Sequence, residues 1–301
     1  MVDLPLGVDI NKLIDNLRIL SWEAADIMLY YSYLIKKDEK NESNIIKTKK
    51  NNEPVTLADL KVNEAIINGI KKNYKDINWD ILSEENTKIL SNNSNMNFEW
   101  RWILDPLDGT ADFIQGTGNY AMHLALQYKN KPRLGVVLIP EKDELWISNG
   151  EEVWCERKNG SCLKTNLSNN KTLNDMTLIT SKNHKNQTLE SLIEKINFNK
   201  VTIMGSVGCK IASILRGESD IYISLSLPGK SSPKDWDFAA PEAILTTGGG
   251  LITNLENENL KYNKPNFEQR GIIIASNNKQ NHKSICLEIK EIVKRYNLYA
   301  I

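Results

Sequence analysis

The run Trp102-Ile-Leu-Asp-Pro-Leu-Asp-Gly-Thr-Ala-Asp112 constrains this chain more than any other stretch. Residues 98 to 104 form an apolar, β-rich segment that ends in a carboxylate at Asp105. A rigid Pro106-Leu107 step delivers a second carboxylate, Asp108, ahead of Gly109 and Thr110. A strand that stops in a carboxylate and then turns places Asp105 and Asp108 at one lip of a sheet. With the Leu107 carbonyl between them they make an all-oxygen nest suited to a hard divalent cation such as magnesium. Gly109 allows backbone N–H groups to approach an anion, and a helix opening at Thr110 would aim its free N–H groups at it. Taken alone, Asp-x-x-Asp has a plainer reading, in which one Asp caps a helix and the other faces water.

Three distant segments add to it. Ile81-Leu-Ser-Glu84-Glu85 is another apolar run ending in acids, Thr56-Leu-Ala-Asp59 opens a helical pattern, and Lys234-Asp-Trp-Asp237-Phe-Ala-Ala opens a second that reaches Gly248-Gly249-Gly250. With TLAD, SEE, DPLDGT and WDFAAPEAILTTGGG in this order, the chain resembles the magnesium-dependent, lithium-sensitive phosphatase superfamily of inositol monophosphatases and 3'(2'),5'-bisphosphate nucleotidases, most closely the CysQ-type nucleotidases. The resemblance covers about residues 10 to 276. It implies a layered αβαβα fold, with an antiparallel-sheet half over residues 1–170 and an α/β half over 171–301.

Glu84, Asp105, the Leu107 carbonyl, Asp108 and Asp237 make up an acidic set without soft ligands, self-repelling unless cations fill it, and two or three magnesium ions are expected there. The resemblance further implies that Asp59 and Thr110 orient the attacking water and take its proton. The backbone of Gly109 and Thr110 would hold phosphate oxygens, and Glu85 would assist from behind the ligands. Asp59 also fits a capping box with Thr56, and Asp237 also fits a helix N-cap.

Composition agrees with a soluble enzyme. Lys and Arg number 38 and Asp and Glu 38, so no global charge steers the chain to a nucleic acid polymer or an anionic membrane. No apolar run is long enough to cross a bilayer, and the N-terminal residues lack a signal-peptide pattern. Cys155, Cys162, Cys209 and Cys286 show no paired spacing and read as reduced thiols, which suits a cytoplasmic protein, monomeric or homodimeric.

Along the chain, Ile10, Leu13, Ile14, Leu17, Leu20, Ala24, Ile27, Met28 and Tyr31 recur at helical spacing. The lysine-rich stretch 36–53 reads as a solvated connector, or as a flap over a bound phosphate. Residues 119 to 155 alternate as an antiparallel meander, and from Thr177 strands and helices alternate, with the boundary between Lys164 and Asp175. The triple glycine after Thr247 is expected to stop a helix.

The substrate is read from fewer residues. Ser181-Lys-Asn-His184 resembles a nucleotidase segment whose His lies near the base, and Lys210 falls where that family carries a phosphate-binding Lys; a surface His and a snorkelling Lys are the alternatives. Ala111 and Ser224 depart from the nucleotidase pattern, which often has Lys and Arg there, and Lys230 or Lys234 could substitute. The leading expectation is release of the 3'-phosphate of adenosine 3',5'-bisphosphate. Inositol-1-phosphate or a sugar bisphosphate is the alternative substrate, and a non-catalytic phospho-ligand-binding protein is the alternative class.

Overall fold

The computed structural model describes residues 4–37, 46–48, 54–87, 98–167, 171–181, 186–262 and 264–299. Among the described residues, two large sheets and the helices packed on their faces alternate as five layers. Helices α1 (Ile10–Lys37) and α2 (Leu57–Asn73) form the outermost layer on one side. Their apolar stripes, including Leu13, Leu17, Met28, Val62 and Ile66, pack on Trp102, Leu104, Met122, Leu124 and Val136 of the first sheet. Residues of opposite parity on the same strands, Ile103, Ala125 and Val137, face the other way. There they meet the middle helical layer, α5 (Val207–Leu215) and α6 (Asp235–Thr247). The second sheet closes that core with Ile179, Tyr222 and Ile273, and its far face packs on α4 (Gln187–Ile196) and α7 (Lys279–Arg295). The αβαβα layering expected from the motifs is therefore the observed one.

The first sheet runs in order β3 (Asp80–Ser83), β4 (Trp100–Asp108), β5 (Ala121–Tyr128), β6 (Lys131–Ile139), β7 (Glu144–Ser148), β8 (Val153–Glu156) and β9 (Cys162–Leu163). The meander expected over residues 119 to 155 is antiparallel throughout, but the half expected to be antiparallel departs from it at one edge, where β3 lies parallel to β4. Parallel pairing brings the C-terminal ends of both strands to the same end of the sheet, and so places Glu84 beside Asp105. The second sheet has the order β11 (Lys200–Ile203), β10 (Thr177–Thr180), β12 (Ile221–Ser226), β14 (Gly271–Ser276), β13 (Leu251–Asn254). A short hairpin, β1 (Ile46–Thr48) with β2 (Pro54–Thr56), precedes α2. Residues 38–45 and 49–53 of the lysine-rich stretch lie outside the described residues.

Close approach of α6 to the first sheet depends on Gly135. A Cβ there would lie 2.7 Å from Ala243 Cβ and 2.8 Å from the Ala240 carbonyl oxygen, both on α6. Gly135→Ala should therefore cost about 1–3 kcal/mol by overpacking, read as a lowered Tm. It should also weaken activity, because α6 carries Asp237. At the opposite end of the helix Gly248 caps and Gly249 takes a φ of 100°, as the triple glycine leads one to expect.

A second fold feature sets pH dependence. His282 of α7 is fully buried, its ring nitrogens 2.7 Å from Thr253 Oγ1 and 2.7 Å from Ser276 Oγ, and burial pushes its pKa down to about 4. The unfolded chain protonates this ring near its ordinary value of 6.5, so stability falls as pH drops from there to about 4 and no further below. The loss attributable to this ring is about 3 kcal/mol over that window. Urea midpoints of wild type and His282→Gln at pH 7 and pH 4 should show a smaller drop in the variant.

Candidate active site

The carboxylates converge because β4 carries one residue more than its partner. Asp105 pairs with His123 and Asp108 with Ala121, so three steps on β4 oppose two on β5. The strand does not stop at Asp105, as the sequence suggests, but continues through a bulge to Asp108. Pro106 has no N–H to give a ladder, which makes this the natural place for the extra residue. Without the bulge, Asp105 and Asp108 would point to opposite faces; with it, each offers an oxygen to one cluster with Asp237. The three ligand atoms lie within 4.8 Å of one another.

Neighbouring elements bring the remaining acids. Thr56 caps α2, and Asp59 at the third helical position accepts the Thr56 N–H at 2.8 Å and its hydroxyl at 2.6 Å through Oδ2. The other oxygen, Oδ1, lies 3.5 Å from Thr110 Oγ1, which is also 3.2 Å from the Leu107 carbonyl oxygen. Both roles expected of Asp59 are thus geometrically compatible: one oxygen caps while the other faces the cluster. Glu84 follows β3 in a short 3-10 turn held by Ser83, whose hydroxyl donates to Asn63 Oδ1 of α2 at 2.5 Å. Glu84 and Glu85 both line the cavity. Gly109, with φ 89°, precedes the helix α3 (Thr110–Ile114), and a Cβ on it would sit 3.0 Å from the Asn119 carbonyl oxygen.

Asp108 reaches across to α5. Its Oδ2 accepts the Ser206 hydroxyl at 2.7 Å and the Val207 N–H, at a helix N-terminus where a negative charge is stabilised. His123 lies behind it, buried, with Nε2 accepting the Gly208 N–H at 3.1 Å and Nδ1 3.4 Å from the Trp236 carbonyl oxygen. That pattern assigns the proton to Nδ1, and burial keeps the ring neutral by pushing its pKa down. Gly208 is required here, since its Cβ would fall 2.2 Å from His123 Nε2.

Asp237 corrects one expectation. The helix starts two residues earlier, at Asp235, so Asp237 is its third residue and accepts the Lys234 N–H rather than serving as N-cap. Lys210 corrects the alternative of a snorkelling side chain. It is 2 % exposed and lines the cavity, with Nζ 3.0 Å from the Ser206 carbonyl oxygen and 5.2 Å from the centre of the Tyr222 ring. Burial pushes its pKa down, against the opposing pull of Asp108, Cys209, Asp112 and Asp237. Lys234 also lines the cavity but is paired with Glu268 at 3.1 Å. His184 lies outside the described residues, as do its neighbours 182, 183 and 185. Residues missed in the sequence are His123, Ser206, Tyr222 and Phe267. Of these His123 carried a signal, being the one titratable residue on the face of the 119–128 alternation opposite Met122 and Leu124.

The cavity measures about 650 Å³. Asp105 stands at its centre of charge: burial, then Glu84, Asp108, Asp237 and Asp59, push its carboxyl well above the usual range. Such crowding is costly without compensating cations, and the donors are all hard oxygens. The residues present fit magnesium.

A layered hydrolase fold with an all-oxygen acidic nest is the class this geometry defines. The sequence profile of the Inositol monophosphatase family matches residues 18–294. The chain belongs to that family of magnesium-dependent phosphatases, and is a phosphoric monoester hydrolase. Among its relatives, the 3'(2'),5'-bisphosphate nucleotidase CysQ of Buchnera aphidicola subsp. Acyrthosiphon pisum is 31% identical over 220 residues, 71% of this chain and 76% of that protein. Two solved structures share the fold: extragenic suppressor protein suhB from Bartonella henselae (TM-score 0.70, 21% identity, 94% of this chain and 99% of that one) and 2'AMP-bound SaIMPase-II (TM-score 0.66, 21% identity, 95% and 98%).

Repulsion at Asp105 yields a prediction separable from catalysis. Asp105→Asn should raise the Tm of the metal-free protein, because the substitution removes a buried charge from a like-charged cluster. It should also abolish most of the Tm gain that saturating magnesium gives wild type. A metal-free variant that melts below wild type, with the magnesium response intact, would remove Asp105 from the ligand set.

Proposed function

We propose that this phosphatase hydrolyses adenosine 3',5'-bisphosphate to AMP and phosphate. The observation that carries the reading is Lys210, a cation buried in the cavity wall whose one hydrogen bond among the described residues goes to the Ser206 carbonyl oxygen. An ammonium has three donors, so two remain for an anionic group of the substrate beyond the one at the acidic nest. Similarity to the nucleotidase CysQ supports a nucleotide.

In this reading Glu84, Asp105, Asp108, Asp237 and the Leu107 carbonyl hold magnesium, which when bound supplies positive charge to the phosphoryl oxygens and acidifies water. Thr110 Oγ1, within reach of Asp59 Oδ1 and the Leu107 oxygen, orients the attacking water. Asp59 receives its proton through Thr110, and its Oδ2, tied to Thr56, keeps the carboxylate in place during the transfer. The N–H groups of Gly109 and Thr110 hold the phosphate oxygens, and Glu85 supports Glu84.

A second reading, inositol-1-phosphate, is favoured by the hydroxyl-rich wall of the cavity, which includes Ser181, Ser224, Ser226, Ser231 and Ser232. Ser224 supplies no charge where an Arg would.

The two readings separate on one variant. Lys210→Ala should raise KM for adenosine 3',5'-bisphosphate by roughly ten- to hundredfold, the equivalent of about 1.5–3 kcal/mol for a charge-assisted hydrogen bond. Turnover of inositol-1-phosphate should be nearly unchanged. Equal losses on both substrates would make Lys210 a structural residue, and an unaffected nucleotide KM would move the phosphate contact elsewhere.

A further inference from the structure

Among the described non-glycine residues with positive φ, two line the cavity, Ser206 and Phe267. Ser206 is accounted for: its conformation lets one hydroxyl serve both Asp108 and the first turn of α5. Phe267, at φ 57°, is different. A bulky aromatic gains nothing locally from this backbone region, which suits Gly, Asn and Asp, and it persists only where surroundings enforce it.

The surroundings do enforce it. Asp235 N–H donates to the Phe267 carbonyl oxygen at 2.8 Å, and Gln269 N–H donates to the Pro233 carbonyl oxygen at 2.8 Å. The Gln269 side chain donates to Asp235 Oδ1 at 2.6 Å and to the Lys261 carbonyl oxygen at 2.9 Å, while Lys234 pairs with Glu268. The β13–β14 connection is thereby fastened to the first turn of α6, two residues from Asp237. Its effect is to hold the Phe267 ring, only half-buried, at the cavity wall, 5.9 Å from the Trp236 ring at 45°.

We infer that Phe267, backed by Trp236, is the specificity-determining platform on which the substrate's base stacks. The inference rests on the nucleotide reading above and deepens it. The acidic nest takes the phosphate end, and the apolar π face takes the flat heterocycle. Because Trp236 and Asp237 are adjacent on one helical turn, the spacing between the two ends is fixed by the backbone.

The test compares two competitive inhibitors that differ by the base, AMP and ribose 5-phosphate, against whichever phosphomonoester the enzyme turns over. Wild type should bind AMP roughly five- to hundredfold more tightly than ribose 5-phosphate, the span that base–aromatic stacking supplies. Phe267→Gly and Phe267→Asn suit the backbone at this position, so both should fold with Tm values near wild type and reduce the ratio to within about twofold. Phe267→Tyr should restore it. A wild-type ratio near one, or a ratio that survives both Phe267→Gly and Phe267→Asn, overturns the platform. Turnover of inositol-1-phosphate without turnover of adenosine 3',5'-bisphosphate would overturn the proposed substrate alone, and an AMP preference lost with the ring would still support the platform.

Discussion

One extra residue between Asp105 and Asp108 governs the architecture of this site. The pleat of a strand sends residues of odd separation to opposite faces, and two carboxylates three positions apart would normally be divided between two cores. Inserting a residue at Pro106, which can make no ladder bond, turns both to the same cavity at the end of the sheet. Everything else in the acidic nest is arranged around that irregularity. The parallel edge strand brings Glu84, the capping box of α2 brings Asp59, and the first turn of α6 brings Asp237. Each comes from the end of an element where backbone groups need partners anyway, and in Asp59 one oxygen caps the helix while the other is left for the cavity.

Much of this was legible in the sequence. The helical stripe of α1, the meander and the later strand–helix rhythm follow from periodicity alone, and the acidic motifs mark their own positions. Less legible were features set by long-range pairing. That β3 lies parallel to β4 cannot be read from Ile81-Leu-Ser, since a short apolar run has no direction. In the sequence the bulge reads as a strand end, because a proline signals interruption without saying whether the ladder resumes. Asp237 reads as an N-cap because two aspartates, Asp235 and Asp237, offer similar capping chemistry, and the Gln269 and Phe267 contacts to Asp235 decide between them. His123 escaped notice because its partners, Asp108 and Gly208, are 15 and 85 residues away.

The second wall of the cavity has another character. Opposite the carboxylates stand hydroxyls, one buried ammonium and a pair of aromatic rings. On this wall Ser224 presents a neutral hydroxyl, Phe267 a half-buried ring at positive φ, and Lys210 a buried charge.

Ser206 joins the two walls. Its hydroxyl donates to Asp108 and its carbonyl accepts from Lys210, so a carboxylate of the acidic nest and the ammonium opposite hang from a single residue in a left-handed conformation. A charge placed against either group pulls on the same short length of backbone. A cation held at Asp108 and an anion held at Lys210 would therefore meet through one residue, and any coupling which that contact carried would be reciprocal, each changing the other's affinity by an equal factor.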